Sequence, residues 1–109
     1  MKIFIAGATG VLGRRLVPML AERGHHVLGL ARSREKAELV RTLGGTPVEA
    51  DLFDENSLAA AAAGAEVVIH AATAIPDPKS ARSLAAWSMN DRIRREGTRA
   101  LAAAAARVG

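Results

Sequence analysis

Three glycines near the amino terminus have the residue type and spacing to bind phosphate. Gly7, Gly10 and Gly13 follow the apolar run at residues 3–6 and precede a stretch whose apolar residues recur at helical spacing. We expect Gly7 to make a tight turn, Gly10 to let a pyrophosphate approach the backbone, and Gly13 to let the helix pack against the strand. The start of the helix would add free N–H groups and a partial positive charge. The pattern therefore predicts a dinucleotide-binding loop.

The rest of the chain repeats this alternation of strand and helix. Short apolar runs predict strands at residues 2–6, 26–31, 47–50 and 67–71. Helical spacing predicts helices at about residues 11–23, 34–43, 55–63 and 82–107. Pro18 falls inside the first helix, where we expect a kink in one continuous helix. Strands joined by helical crossovers form a parallel sheet.

These elements predict an α/β fold, a Rossmann-like doubly wound parallel sheet in three αβα layers with strand order 3-2-1-4. The length of 109 residues gives room for one domain. We interpret residues 1–109 as a dinucleotide-binding half-domain, truncated before the later strands of a larger parent domain. The apolar fourth strand would lie at an open edge, so we expect more sheet beside it. A homodimer could form through the same edge.

Composition excludes several other classes of protein. The chain has no Cys, which removes disulfides, thiolate metal sites and Cys nucleophiles, and agrees with a reducing cytoplasm. His25 and His26 have no further metal ligands at a suitable spacing, so we predict no metal site. No segment approaches the roughly 20 apolar residues of a membrane span, and the amino terminus does not resemble a signal peptide. We therefore predict a cytoplasmic protein without membrane contact.

The net charge of +4 is concentrated at one end of the sequence. Residues 79–109 contain seven Lys or Arg against two Asp or Glu, whereas residues 1–78 contain eight against nine. A basic segment can attract nucleic acid, but aromatic residues are only 3% of the chain and do not interleave with these cations. We predict no nucleic-acid binding and interpret the basic segment as a solvated helix face.

The glycine spacing G-x-x-G-x-x-G resembles that of the short-chain dehydrogenase/reductase superfamily, specifically its extended and atypical branches, the NAD-dependent epimerase/dehydratases. Four further motifs resemble this family and follow its order along the chain. They are Gly24-His25-His26-Val27 before the second strand, Asp51-Leu52 after the third, His70-Ala71-Ala72-Thr73 after the fourth, and Gly97-Thr98 with Leu101 in the last helix. The resemblance covers the whole chain.

The resemblance implies a nicotinamide dinucleotide as cofactor and a set of residues that contact it. The loop residues would be Gly7, Ala8, Thr9, Gly10, Val11, Leu12 and Gly13. Asp51 would bond to the adenine amino group and Leu52 would cover one adenine face, although Asp51 could equally start a turn or cap the next helix. Ala71, Ala72 and Thr73 would line the ribose and nicotinamide side.

The charge after the second strand favours NADP over NAD. An NAD site needs a carboxylate roughly 20 residues beyond the glycine loop, whereas the 2′-phosphate of NADP needs cations. Arg32 occupies that position and could grip the phosphate bidentately. Ser33 could donate to the phosphate, with Arg34 or Lys36 assisting. Alternatively, Arg32 merely precedes a solvated helix.

The sequence departs from the family where catalysis is concerned. The family's reaction uses a Tyr and a Lys four residues later, but this chain has no Tyr, so we predict no catalytic residue within it. Relatives usually carry Asn where this chain has Arg94, and we expect Asn90 to be a helix-surface amide. The resemblance implies the cofactor-binding part of an oxidoreductase or epimerase that acts on a small molecule and cannot turn over as given. The alternative is a non-catalytic, NADP-binding redox-sensing regulator or assembly factor.

Overall fold

A computed structural model describes residues 1–72 and 87–108. Its strands are β1 (Lys2–Ala6), β2 (His26–Leu30), β3 (Thr46–Val48) and β4 (Val67–His70). Its helices are α1 (Gly13–Glu22), α2 (Arg34–Leu43), α3 (Glu55–Ala61), α4 (Ser88–Arg92) and α5 (Thr98–Val108), with a π-helical segment, Ile93–Gly97, between the last two.

The four strands form one parallel sheet in the order β3-β2-β1-β4, which confirms the predicted topology. β1 is central, with Ile3 opposite Val27 on one side and opposite Val67 on the other. Because all four strands run in one direction, their carboxyl ends lie along a single edge of the sheet. The chain order reverses between β1 and β4, which places a crevice at their carboxyl ends.

Helices cover both faces of the sheet and give the three predicted layers. On one face, Ile3 and Ile5 of β1 pack in a cluster with Val17 of α1 and Val40 of α2. On the other face, Phe4 packs in a second cluster with Leu58 of α3 and with Leu101 and Ala104 of α5. Alternate side chains of β1 therefore pack in two separate hydrophobic clusters, as expected of a strand buried on both faces.

Most predicted element boundaries differ from the structure by one to three residues. α2 spans the predicted residues, but β2 and β4 each end one residue early, and α3 ends at Ala61. β3 was predicted at residues 47–50 and instead begins at Thr46 and ends at Val48. α1 is one helix through Pro18, as expected, and Gly24 follows its end with a φ of 86°.

The last predicted helix is not a uniform α-helix in its described part. Ile93–Gly97 is π-helical, and residues 82–86 of the prediction lie outside the described residues. Gly97 is buried against Leu52, whose Cγ would lie 3.1 Å from a Cβ at position 97. A methyl group at position 97 would therefore require the Leu52 side chain to shift by a few tenths of an ångström. Asn90 is 5% exposed, so the prediction of a surface amide was wrong, because α4 turns this residue toward the protein interior.

None of the helices in residues 1–72 and 87–108 combines the length and apolar character needed to cross a membrane.

Gly29 of β2 offers a test of how tightly the first face is packed. A Cβ at this position would lie 2.9 Å from Cγ1 of Val40 and 3.0 Å from Cβ of Ala8. We expect Gly29→Ala to lower the free energy of unfolding by roughly 1–3 kcal/mol, measured by urea denaturation. Adding Val40→Ala removes the closest clash. The double variant should therefore lose less free energy of unfolding than the two single variants lose in total. Strict additivity would contradict this account.

Candidate functional site

The glycine loop is held against the end of β4 by backbone contact. Gly7 has a φ of 89°, a left-handed conformation that favours glycine, and its carbonyl oxygen accepts a 3.0 Å hydrogen bond from the N–H of Gly10. A Cβ at Gly7 would lie 2.4 Å from the carbonyl carbon of Ala71 and from the amide nitrogen of Ala72. The turn after β1 can therefore adopt this position only with glycine at residue 7.

The other two glycines of the loop have different surroundings. A Cβ at Gly13 would lie 2.2 Å from the carbonyl oxygen of Gly7 and 2.5 Å from that of Ala8, so helix α1 must begin with glycine to pack here. A Cβ at Gly10 would meet only the oxygen of Gly7, at an ordinary 3.4 Å. The packing of the chain therefore requires glycine at 7 and 13 and leaves free space beside Gly10.

The loop also contains backbone donors that the described chain leaves unpaired. The backbone N–H groups of Val11 and Leu12 find no acceptor among the described residues, and they stand just before the first turn of α1. Unpaired amides at a helix start favour an anion. Arg14 adds a full positive charge, and its Nε donates a 2.8 Å hydrogen bond to the carbonyl oxygen of Thr9. The arrangement suits a pyrophosphate.

A cleft of about 840 Å³, the main cleft, opens in front of the loop along the carboxyl ends of the strands. Gly7, Thr9 and Gly10 line it from the loop, and Ala71 and Ala72 line it from the end of β4. Its charged lining residues are four cations and two carboxylates, an excess of two positive charges: Arg14, Arg32, Lys36, Arg92, Glu35 and Asp51. This balance favours an anionic ligand.

The residues after β2 divide between the main cleft and the surface beside it. Arg32 and Lys36 line the main cleft, and the side chain of Arg32 makes no hydrogen bond or ion pair with any described residue. Ser33 instead caps α2, where its Oγ accepts a 3.2 Å bond from the N–H of Lys36. Ser33 and Arg34 line a shallower neighbouring depression. Of the four predicted phosphate contacts, two reach the main cleft.

The far end of the main cleft has an apolar floor and a polar rim. Asp51 is exposed, and its Oδ1 accepts a 2.9 Å hydrogen bond from the N–H of Phe53, so it both starts a turn and lines the cleft. Leu52 lines the cleft although it is largely buried. The guanidinium of Arg92 stacks 3.8 Å above the ring of Phe53. The apolar Leu52 side chain and the planar groups of Phe53 and Arg92 can contact a purine.

Three predicted loop contacts lie elsewhere. Ala8 is completely buried in the core and lines neither cavity, because its methyl group packs toward Gly29. Val11 and Leu12 are exposed and line a second cavity beside β4. Thr73 lies outside the described residues. Sequence reasoning missed Arg14, Phe53 and Arg92, of which only Arg14 had a sequence signal, as a cation in the first turn after the loop.

His70 ties the end of β4 to the π-helical segment. Its Nδ1 accepts a hydrogen bond from the N–H of Ala72, and its Nε2 lies 3.3 Å from the carbonyl oxygen of Ile93. Since an amide N–H only donates and a carbonyl oxygen only accepts, we assign the neutral tautomer with hydrogen on Nε2. His70 is therefore a hydrogen-bonded residue that positions Ala71 and Ala72.

Comparison with known proteins agrees with this geometry. The model of the NAD(P)H-binding family matches residues 7–109. The chain is 38% identical along its whole length to 3-diazoavenalumate denitrifying reductase from a Streptomyces species, of which it covers 35%. Over 68% of its length it is 35% identical to the photosystem II assembly factor Ycf39 of a Synechocystis species, of which it covers 23%. It matches the structure of vestitone reductase from alfalfa with a TM-score of 0.58 and 28% identity, covering 68% of this chain and 26% of the reductase.

The chain therefore belongs to the NAD(P)H-binding family, and its structural neighbours include a protein of the NAD-dependent epimerase/dehydratase type. It is an NAD(P)-binding domain with a Rossmann-like fold, as the sequence predicted. The chain spans about a quarter to a third of the length of the relatives just compared by sequence.

Substitution by Ala should affect a different property at each of Gly10 and Gly13: cofactor affinity at Gly10 and stability at Gly13. We expect Gly10→Ala to fold with unchanged stability, because its methyl group has room, but to weaken binding of NADPH at least about tenfold. We expect Gly13→Ala to lower the free energy of unfolding by about 3 kcal/mol or more, because backbone atoms block its methyl group. Thermal unfolding by circular dichroism and fluorescence titration with NADPH measure the two effects. Full NADPH affinity in Gly10→Ala would exclude the glycine loop as the phosphate site.

Proposed function

We propose that this chain binds NADP, in preference to NAD, in the main cleft. The observation that carries the proposal is Arg32, which lines the cleft at the end of β2, is exposed, and has no anionic partner among the described residues. A 2′-phosphate supplies the missing anion, and Lys36 lines the same cleft one helical turn further on. A ribose 2′-OH, which carries no charge, would leave the Arg32 guanidinium without an anionic partner.

The remaining groups of the cleft fit the other parts of the cofactor. The free N–H groups before α1 and the Arg14 guanidinium would hold the pyrophosphate, with Gly10 leaving it room. Asp51 would accept from the adenine amino group, while Leu52 and Phe53 would cover the ring. Ala71 and Ala72 would border the nicotinamide end. When bound, the nicotinamide supplies hydride-transfer chemistry, and the protein supplies orientation and charge.

We propose that the whole protein is an oxidoreductase or epimerase that acts on a small molecule, and that these 109 residues are the amino-terminal part of a larger domain. Support comes from the family and from the small share of its relatives that the chain covers. The chain contains no Tyr, and Lys2, Lys36 and Lys79 do not follow one. On this proposal the chain binds the cofactor without turnover and remains in the cytoplasm.

A non-catalytic regulator or assembly factor is the second candidate. The similarity to the photosystem II assembly factor Ycf39 favours it. The two candidates differ in the parent sequence beyond residue 109. A Tyr-x-x-x-Lys pair after a fifth strand indicates an enzyme, and its absence indicates a regulator.

The cofactor proposal predicts a preference that depends on one side chain. We expect NADPH to bind more tightly than NADH, and Arg32→Ala to weaken NADPH about tenfold or more while leaving NADH almost unchanged, because a charge-assisted bond contributes about 1.5–3 kcal/mol. Isothermal titration calorimetry measures both affinities. Arg34→Ala is the matched control, since Arg34 is exposed nearby and does not line the main cleft. Equal affinity of the unmodified chain for both cofactors would contradict the proposal.

We further propose that two copies of the chain form a homodimer through the exposed edge of β4. Val67 is 37% exposed, and the other residues of this strand are only half-buried. We expect light scattering to give a mass near twice the 11.4 kDa of one chain, and Val67→Lys to give a monomer because a charge at an edge strand opposes pairing. Glu66→Lys, just outside the strand, is the control. A stable monomer of the unmodified chain would overturn this pairing.

A further inference from the structure

A second cavity of about 680 Å³, the edge cavity, lies beside the end of β4. Ala71 and Ala72 line both this cavity and the main cleft, so a ligand in one would lie next to a ligand in the other. Val11 and Leu12 form the rest of the apolar lining. They are 85% and 56% exposed, so both side chains are accessible to a ligand.

The polar lining of the edge cavity is cationic. Arg15 reaches it from α1 and Arg94 from the π-helical segment, so the two charges come from opposite helical layers. Both side chains are exposed, and neither makes a hydrogen bond or an ion pair with a described residue. Arg92, two residues before Arg94, shows the contrast, because it pairs with Glu96 at 2.6 Å.

The other polar groups of this cavity do not offset the two charges. No Asp or Glu is among its described lining residues. Both ring nitrogens of His70 are engaged, by Ala72 and by Ile93, so the imidazole offers neither a free donor nor a negative charge. Thr98 contributes a hydroxyl without a partner in the described part of the chain. Two cations and a free hydroxyl around an apolar wall form a site for an anion with an apolar body.

We propose that the edge cavity binds an organic carboxylate, with Arg15 and Arg94 on the carboxylate and Val11 and Leu12 against its apolar skeleton. Guanidinium groups match a carboxylate through paired hydrogen bonds, and the apolar wall adds affinity that a bare inorganic anion would not gain. The role of this acid as the substrate, held beside the nicotinamide end of the cofactor, rests on the proposed function. Binding of the acid itself does not.

Benzoate is a suitable probe, and benzamide is its uncharged counterpart. We expect titration of the isotope-labelled chain at low salt, followed by amide NMR shifts, to show benzoate binding that perturbs Val11, Leu12 and Thr98. Arg15→Ala and Arg94→Ala should each raise the benzoate Kd about fivefold or more, and Arg94→Lys should fall between because it keeps the charge. Arg95→Ala is the control, since Arg95 is exposed on the same segment and does not line the cavity. A native spectrum confirms that each variant folds.

Four results would overturn the inference. Three of them are equal binding of benzamide and benzoate, an unchanged benzoate Kd in both alanine variants, and binding of inorganic phosphate as tight as that of benzoate. A fourth is competition between benzoate and NADPH, which would assign the edge cavity to the cofactor. If NADPH does not bind but benzoate binds through both arginines, the proposed function fails and the carboxylate site stands. If NADPH binds and benzoate does not, the carboxylate site fails and the proposed cofactor binding stands.

Discussion

The contact between the glycine loop and the end of β4 is the constraint on which the rest of the structure depends. Gly7 touches the backbone of Ala71 and Ala72, and Gly13 touches the backbone of Gly7, so three segments meet with no side chain between them. This contact brings the start of α1 beside the point where the strand order reverses. The loop amides, the main cleft and the edge cavity all take their positions from it.

The charges around the two cavities follow from this arrangement. Parallel strands bring the residues after β1, β2, β3 and β4 to one edge, so Arg14, Arg32 and Asp51 face the same main cleft although they are far apart in sequence. The same edge collects Arg15 and Arg94 beyond Ala71 and Ala72. Ala71 and Ala72 thus line both a cleft that suits a dinucleotide and a cavity that suits an acid.

The sequence was sufficient for the fold because the strands and helices alternate with clear periods, and only one handedness of crossover is stable. It was also sufficient for the different roles of Gly7 and Gly13, which are local backbone requirements. It did not show that Ala8 turns inward or that Val11 and Leu12 line the second cavity, since those directions depend on the backbone conformation of the loop before α1. Likewise, the stacking of Arg92 on Phe53 joins distant segments, and helical spacing does not distinguish a π-helical segment from an α-helix.

The bridge made by His70 restricts which residues this position can accept. Nδ1 accepts a hydrogen bond from the N–H of Ala72, in the turn that lines both cavities. Nε2 donates a hydrogen bond to the carbonyl oxygen of Ile93, in the π-helical segment that carries Arg94. A replacement would need an acceptor and a donor on one rigid short side chain, so aliphatic and acidic residues would leave at least one of the two backbone groups unsatisfied. A redesign of the main cleft or of the edge cavity should therefore keep His70 and vary the residues around it.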